Sequence, residues 1–143
     1  MTTYYSVQKT KWSQNNPTEN INTNEQTGKV RIAYAVFEMF NLPNGARILE
    51  GTLTHDAMGG STTLSVGHAA YTSSAGATVA LDVDEYKAAA ASTGITTVAI
   101  AATSALGRNS IVDANADGIP VTVVLAGGAG TGTIELQMLY VVD

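Results

Sequence analysis

The clearest hydrophobic pattern in this chain lies near its C-terminal end. Over residues 131–142 (TGTIELQMLYVV), Ile134, Leu136, Met138, Tyr140 and Val142 alternate with Thr133, Glu135 and Gln137. Period-two alternation of this kind predicts a strand with one buried and one wet face. Residues 30–40 (VRIAYAVFEMF) also alternate, but Ile32, Tyr34 and Val36 on one face and Ala33, Ala35 and Phe37 on the other are all apolar or small. That predicts a central strand buried on both sides. Further strands are predicted over 47–55 (RILEGTLTH), over 61–70 (STTLSVGHAA, ending near Gly67), over 95–101 (ITTVAIA) and over 119–126 (IPVTVVLA). In the last of these Pro120 sits at the start, where a missing N–H is tolerated.

Turn chemistry separates these runs. Pro43 presets φ and Asn44-Gly45 supplies positive φ; Gly59-Gly60, the polar stretch 109–118 and the glycines of 127–130 break the chain again. One segment reads differently. In residues 82–93 (DVDEYKAAAAST) Asp82 precedes Glu85 by three, the spacing of a capping box, and four alanines follow before Gly94. This predicts one short helix. Six or more strands, one helix and closely spaced turns predict a mainly β fold, an antiparallel β-sandwich or barrel rather than alternating βαβ units. No internal repeat is evident.

The N-terminal region lacks this patterning. Residues 8–29 (QKTKWSQNNPTENINTNEQTGK) hold only Trp12 and Ile21 as large apolar groups, too few to offset the entropy of ordering. The chain is therefore divided into an extended arm, 1–29, and a β domain, 30–143. Trp12, the only tryptophan, either tucks against its own domain or anchors the arm on a neighbour, as aromatic residues do at interface hot spots.

Composition sharpens this picture. At 143 residues the chain fits one domain with a sizeable core. Charged residues are only 13%, about half the usual share, and 21 Ala, 19 Thr and 14 Gly stand in their place. A surface this poor in charge is suited to being covered by other subunits. The net charge is −5, which argues against a nucleic-acid partner. It is unevenly spread: residues 1–47 hold five bases and three acids, net +2, and residues 48–143 two bases and nine acids, net −7. The uncharged runs 57–81 and 88–107 are long enough for a membrane helix, but they are rich in Thr, Ser and Gly. No membrane partner and no secretory leader are expected, and the chain is expected to be made in the cytosol.

Candidate chemistry is sparse. There is no cysteine, so disulfides, thiolate metal sites and cysteine nucleophiles are excluded. His55, Asp56 and Ser61 lie close in sequence, but no GxSxG elbow accompanies them, and neighbours along a strand point to opposite faces. Asp82, Asp84 and Glu85 suit a helix N-terminus better than a glycosidase pair. GGAGTG at 127–132 lacks the GK[ST] of a phosphate loop and joins two strands, so it reads as a hairpin turn. Asp113, Asn115 and Asp117 followed by Gly118 form the first half of a calcium loop, but the twelfth position is Val124 where a bidentate Glu is needed. A polar turn is favoured there over a metal site. No cofactor is expected, and no catalytic residue is identified.

Two stretches carry a family resemblance. LPNGARILEGTLTHDAMGGSTTLSVGHAAY (42–71) and GGAGTGTIELQMLYVVD (127–143) resemble small virion structural proteins of tailed bacteriophages, notably marine and cyanobacterial ones. That group shares an LPxGAR turn, a DAxGxSTTLxVG strand and a GTIxLxxxYVVD C-terminus. The resemblance covers roughly 30–143 and leaves the arm outside it. It implies a non-enzymatic capsid decoration (cement) protein with a β-sandwich, jelly-roll-like body, commonly a homotrimer. Its implied partners are the major capsid protein and its own copies, on the outer capsid surface of virions assembled in the host cytoplasm. A head-fibre, neck or tail component, or a host-glycan-binding β-sandwich, are the alternative roles. On this reading the arm supplies the capsid or subunit interface, through Tyr4, Tyr5, Lys9, Lys11, Trp12, Ile21, Lys29 and Arg31. Its basic groups would meet acidic patches.

Overall fold

The alternation at the C-terminal end becomes the longest-paired strand of the protein. In the computed structural model, which describes residues 3–6, 10–13, 35–100, 110–128 and 130–142, eleven strands follow in chain order. They are β1 (Thr3–Ser6), β2 (Thr10–Ser13), β3 (Ala35–Leu42), β4 (Ala46–His55), β5 (Thr63–His68), β6 (Tyr71–Thr72), β7 (Thr78–Val79), β8 (Asp82–Ala91), β9 (Thr96–Ile100), β10 (Ile119–Ala126) and β11 (Thr133–Val142). No helix occurs among the described residues.

The strands form two main antiparallel sheets and a small hairpin. The first sheet has the order β1-β11-β4-β9, with β2 also on β11; the second has the order β3-β10-β5-β8; β6 pairs with β7 alone. The long pairings are nested. The arm strands β1 and β2 lie on β11, β3 lies on β10, β4 on β9 and β5 on β8, all antiparallel. Buried residues of both sheets join in one cluster: Ile48, Leu53, Ile134, Leu136 and Met138 from the first, with Leu64, Val66, Val121, Val123 and Leu125 from the second. Each is at most 1% exposed; in β4 and β11 these residues alternate with more exposed ones, whereas β5 and β10 are buried along most of their length.

Two sequence expectations are corrected. Residues 82–91 are strand, not helix. Alanine favours a helix by only a few tenths of a kcal/mol per residue over ordinary residues, and pairing with β5 outweighs that preference. The pairing is irregular: Val66 stands opposite Lys87 and His68 opposite Asp82, so β8 bulges by several residues. The bulged segment lies over Gly67, where an added Cβ would collide with the backbone of Asp82, Val83 and Asp84. Only a glycine admits this approach. Secondly, among the described residues β3 is an edge strand, not a central one. Its outer face is wet, with Glu38 exposed and Val36 50% exposed.

The polar stretch 110–118 is tied to the body rather than loose. Val112 N–H donates to the Ala46 carbonyl at 2.7 Å, Gly45 N–H to the Val112 carbonyl at 2.9 Å and Asn115 N–H to the Thr72 carbonyl at 2.7 Å. Val112 and Ala114 are buried in the core cluster.

Candidate interaction surface

The first element of interest is the arm-bearing edge of β11. The register sets Tyr4 opposite Val141, Tyr5 opposite Tyr140, Lys11 opposite Glu135 and Trp12 opposite the fully buried Ile134. Between Ser6↔Leu139 and Thr10↔Leu136 the arm advances four residues while β11 advances three. The arm thus forms two separate ladders on one acceptor strand. Of the interface residues expected from sequence, Tyr4, Tyr5, Lys11 and Trp12 fall in these ladders. Lys9, Ile21, Lys29 and Arg31 lie outside the described residues.

The second element is the opposite border of the body, where, among the described residues, β8 and β9 are the last strands of their sheets. Ala88, Ala89, Ala90 and Ala91 are all exposed, as are Thr93, Thr97 and Ala99, and Ile95 between the strands is 78% exposed. No charged residue occurs from Ala88 to Ile100. Natural sheet edges are usually protected by charge, proline or cover; this one is small, neutral and open. The earlier uncharged run, 57–81, has a different cause: its centre is β5, which is almost wholly buried.

Acidic groups gather at the end of the body formed by 43–45, 69–82 and 110–118. Asp82 accepts a hydrogen bond from the Asp84 N–H at 3.1 Å, and that bond first of all holds its carboxyl below the usual range. The adjoining Asp84 is pushed up, chiefly by sharing a side-chain hydrogen bond with Asp82. Leu81 and Ile111 nearby are 61% and 64% exposed.

The Asp113–Asp117 region is a turn in the structure. Asp113 Oδ1 accepts the Ser74 N–H at 3.2 Å, Asn115 Oδ1 accepts the Asp117 N–H at 3.0 Å, and the Asn115 side-chain amide donates to Asp117 Oδ2 at 3.0 Å. Gly118 closes the turn with φ +80° against the Leu42 carbonyl. These oxygens serve the backbone and each other instead of converging on a cation. Among the described residues no group of three or more His, Asp or Glu is arranged to hold a metal.

The His55-Asp56 pair is structural as well. His55 is buried, and its Nδ1 donates to the Asp56 carbonyl at 2.8 Å. Asp56 Oδ2 accepts the Thr133 N–H at 2.9 Å. Neither side chain is hydrogen-bonded to Ser61, so no nucleophile–base–acid relay is formed. Thr54, His55, Asp56, Thr133 and Glu135 line a shallow, open groove, and Glu50, Gly51, Thr52, Gln137 and Leu139 line another on the same pair of strands. The glycine-rich connection between β10 and β11 is not the hairpin turn expected from sequence: the two strands belong to different sheets, so the chain crosses from one sheet to the other there, with Gly127 (φ +86°) packed on the Ser61 carbonyl.

Sequence reasoning missed the acceptor role of β11 and the open β8–β9 border. The first had a faint signal in the polar series Thr133, Glu135, Gln137. The second was hidden because the alanines were assigned to a helix.

No protein-family model and no curated protein matches the chain. Among solved structures, it is similar to a chain of the cyanophage Pam1 capsid asymmetric unit, with TM-score 0.64 and 15% identity over 99% of this chain and 86% of that one. It is also similar to a chain of the capsid of Ralstonia phage GP4, with TM-score 0.59 and 20% identity over 100% of this chain and 85% of that one. The resemblance to small phage virion structural proteins, read from residues 42–71 and 127–143, is borne out at the level of fold. The chain has, along essentially its whole length, the fold of component chains in two bacteriophage capsids.

Proposed function

We propose that this chain is a non-enzymatic bacteriophage virion protein that decorates the outer capsid and stabilises contacts between major capsid subunits. The observation that carries this reading is the near-complete overlap of its fold with chains of two phage capsid structures. The nested strand pairing supports a jelly-roll sandwich for the body: first with last, then successively inward, is the pairing of a long hairpin rolled into two facing sheets. Its low charge supports a clamping role, since small neutral groups can be covered with little desolvation cost. The uncharged β8–β9 border is where a neighbouring subunit finds such a surface. A homotrimer, with the arm carrying subunit contacts through its aromatic and basic residues, completes the reading. Residues 1–47 are net positive and the rest net negative, so the arm of one copy and the body of another attract.

The test is a mixing assay of the purified full-length chain with emptied capsids, together with its copy number per virion. Saturable binding, raised capsid stability and a copy number comparable with that of the major capsid protein are expected. A copy number far below that of the capsid protein, with no binding to the shell, would overturn decoration in favour of a fibre, neck or tail part.

A further inference from the structure

We propose that in the assembled protein the arm strands β1 and β2 pair with β11 of a second copy of this chain, in the register they hold here on their own β11. This rests on the subunit-contact reading above and names the arm's partner. Among the described residues the arm strands pair with β11 and with no other strand. A backbone ladder of this kind is equally well made by the β11 of another copy, since every acceptor and donor is repeated there. The edge of β11 in turn needs an occupant, because a bare inner edge presents unpaired N–H and C=O groups.

The connection is longer than pairing within one chain requires. Ser13 stands opposite Thr133, at the start of β11, and Ala35 opposite Leu125, near the end of β10. β10 and β11 are joined directly through residues 127–132, so both attachment points lie at the same end of the body. Facing sheets are about 10 Å apart, a gap that three or four extended residues cross. The chain places residues 14–34 between the two points, enough for about 70 Å when extended. Loop closure grows only slowly more costly with length, so the surplus neither forbids nor enforces pairing at home. It does give the arm reach to a neighbouring copy. Exchanging identical elements keeps every pairing and adds a link between subunits, which is the low-cost route to an oligomer.

The absence of native cysteine makes the test clean. Residues opposite one another in an antiparallel ladder have Cα atoms about 4.5–5.5 Å apart, within disulfide range. Full-length Ser13→Cys and Thr133→Cys chains are mixed, allowed to assemble, oxidised and run on a non-reducing gel, alone and on emptied capsids. A disulfide-linked dimer containing one chain of each kind is expected, well above a control mixture of Ser13→Cys with Ala77→Cys. The double variant is expected to give covalent multimers. Closure of the double variant only within single chains, with no mixed dimer from the single variants, would overturn the exchange. So would capsid binding with neither cross-link, which would mean that the arm pairs with the capsid protein instead. Binding to capsids is scored in the same samples: cross-linked chains that fail to bind would remove the decoration reading and leave the exchange standing.

Discussion

Ser65 donates its hydroxyl hydrogen to the carbonyl oxygen of Val83 at 2.9 Å, fastening the bulged start of β8 across the outer face of the second sheet. The bulge rests on Gly67, one register step along the same face. Gly67→Ala is therefore expected to cost about 2–4 kcal/mol, because the obstructing atoms are backbone and cannot swing aside. Gly60→Ala, with open space around the new methyl, is expected to stay within about 0.5 kcal/mol of the parent. Urea denaturation of the two variants checks the contrast.

Leu136 is fully buried in β11, opposite Leu53 of β4 and Thr10 of the arm. Leu136→Ala should destabilise by about 2–5 kcal/mol through lost burial and the cavity left behind. The same substitution should weaken the arm ladder, read as faster hydrogen exchange at residues 10–13 than in the parent.

Stability should fall at alkaline pH. Burial, then the neighbouring Tyr71 and Glu85, push the Tyr86 phenol well above its ordinary value of 10.0, and burial with Asp113 and Glu85 raises Tyr71 as well. The unfolded chain releases these protons near pH 10 while the folded chain keeps them. Their stabilising effect is present in full below that pH and is lost as pH rises above it. The Tyr86 hydroxyl is buried with no hydrogen-bond partner among the described residues, so Tyr86→Phe should be neutral or slightly stabilising at pH 7. It should also flatten the alkaline decline. Urea melts from about pH 8 to pH 11 would show a parallel decline in both proteins if Tyr86 plays no part.

Deleting residues 1–29 should leave the body folded, since the buried cluster of the described residues begins at Phe37. It should abolish binding to emptied capsids and uncover the edge of β11, raising self-association. Circular dichroism, size-exclusion chromatography and the binding assay separate these effects. Full occupancy of capsids by the truncated chain would show that the arm is not the contact.

Calcium at millimolar concentration should leave the melting temperature unchanged, because Asp113 and Asp117 are engaged by Ser74 and Asn115. Asp113→Ala should lower it modestly by freeing the Ser74 N–H. A calcium-dependent rise lost in that variant would restore the metal-loop reading.

Most strands were legible as local pattern. The alternation of Ile134, Leu136 and Met138 with Glu135 and Gln137 maps onto buried and wet faces of β11. β4, β5 and β10 also fall within a few residues of their expected bounds. β8 was not legible, because Asp82, Glu85 and the alanines satisfy helix rules locally and only the pairing with β5 overrides them. The position of β3 at an edge escaped for a related reason. Apolar residues on both faces imply burial on both faces, and no local pattern states which strands lie beside it.

By itself, the sequence determined the β class, the scarcity of chemistry and the low charge. Each depends on composition or on contacts a few residues apart. The tertiary structure decided the nested pairing, the irregular seat of β8 over Gly67, the conversion of Asp113, Asn115 and Asp117 into a backbone-fastening turn, and the choice of β11 as the arm's acceptor. Those depend on residues far apart in the chain, such as Trp12 and Ile134 or Gly67 and Val83, whose meeting is set by packing and backbone pairing rather than by local preference.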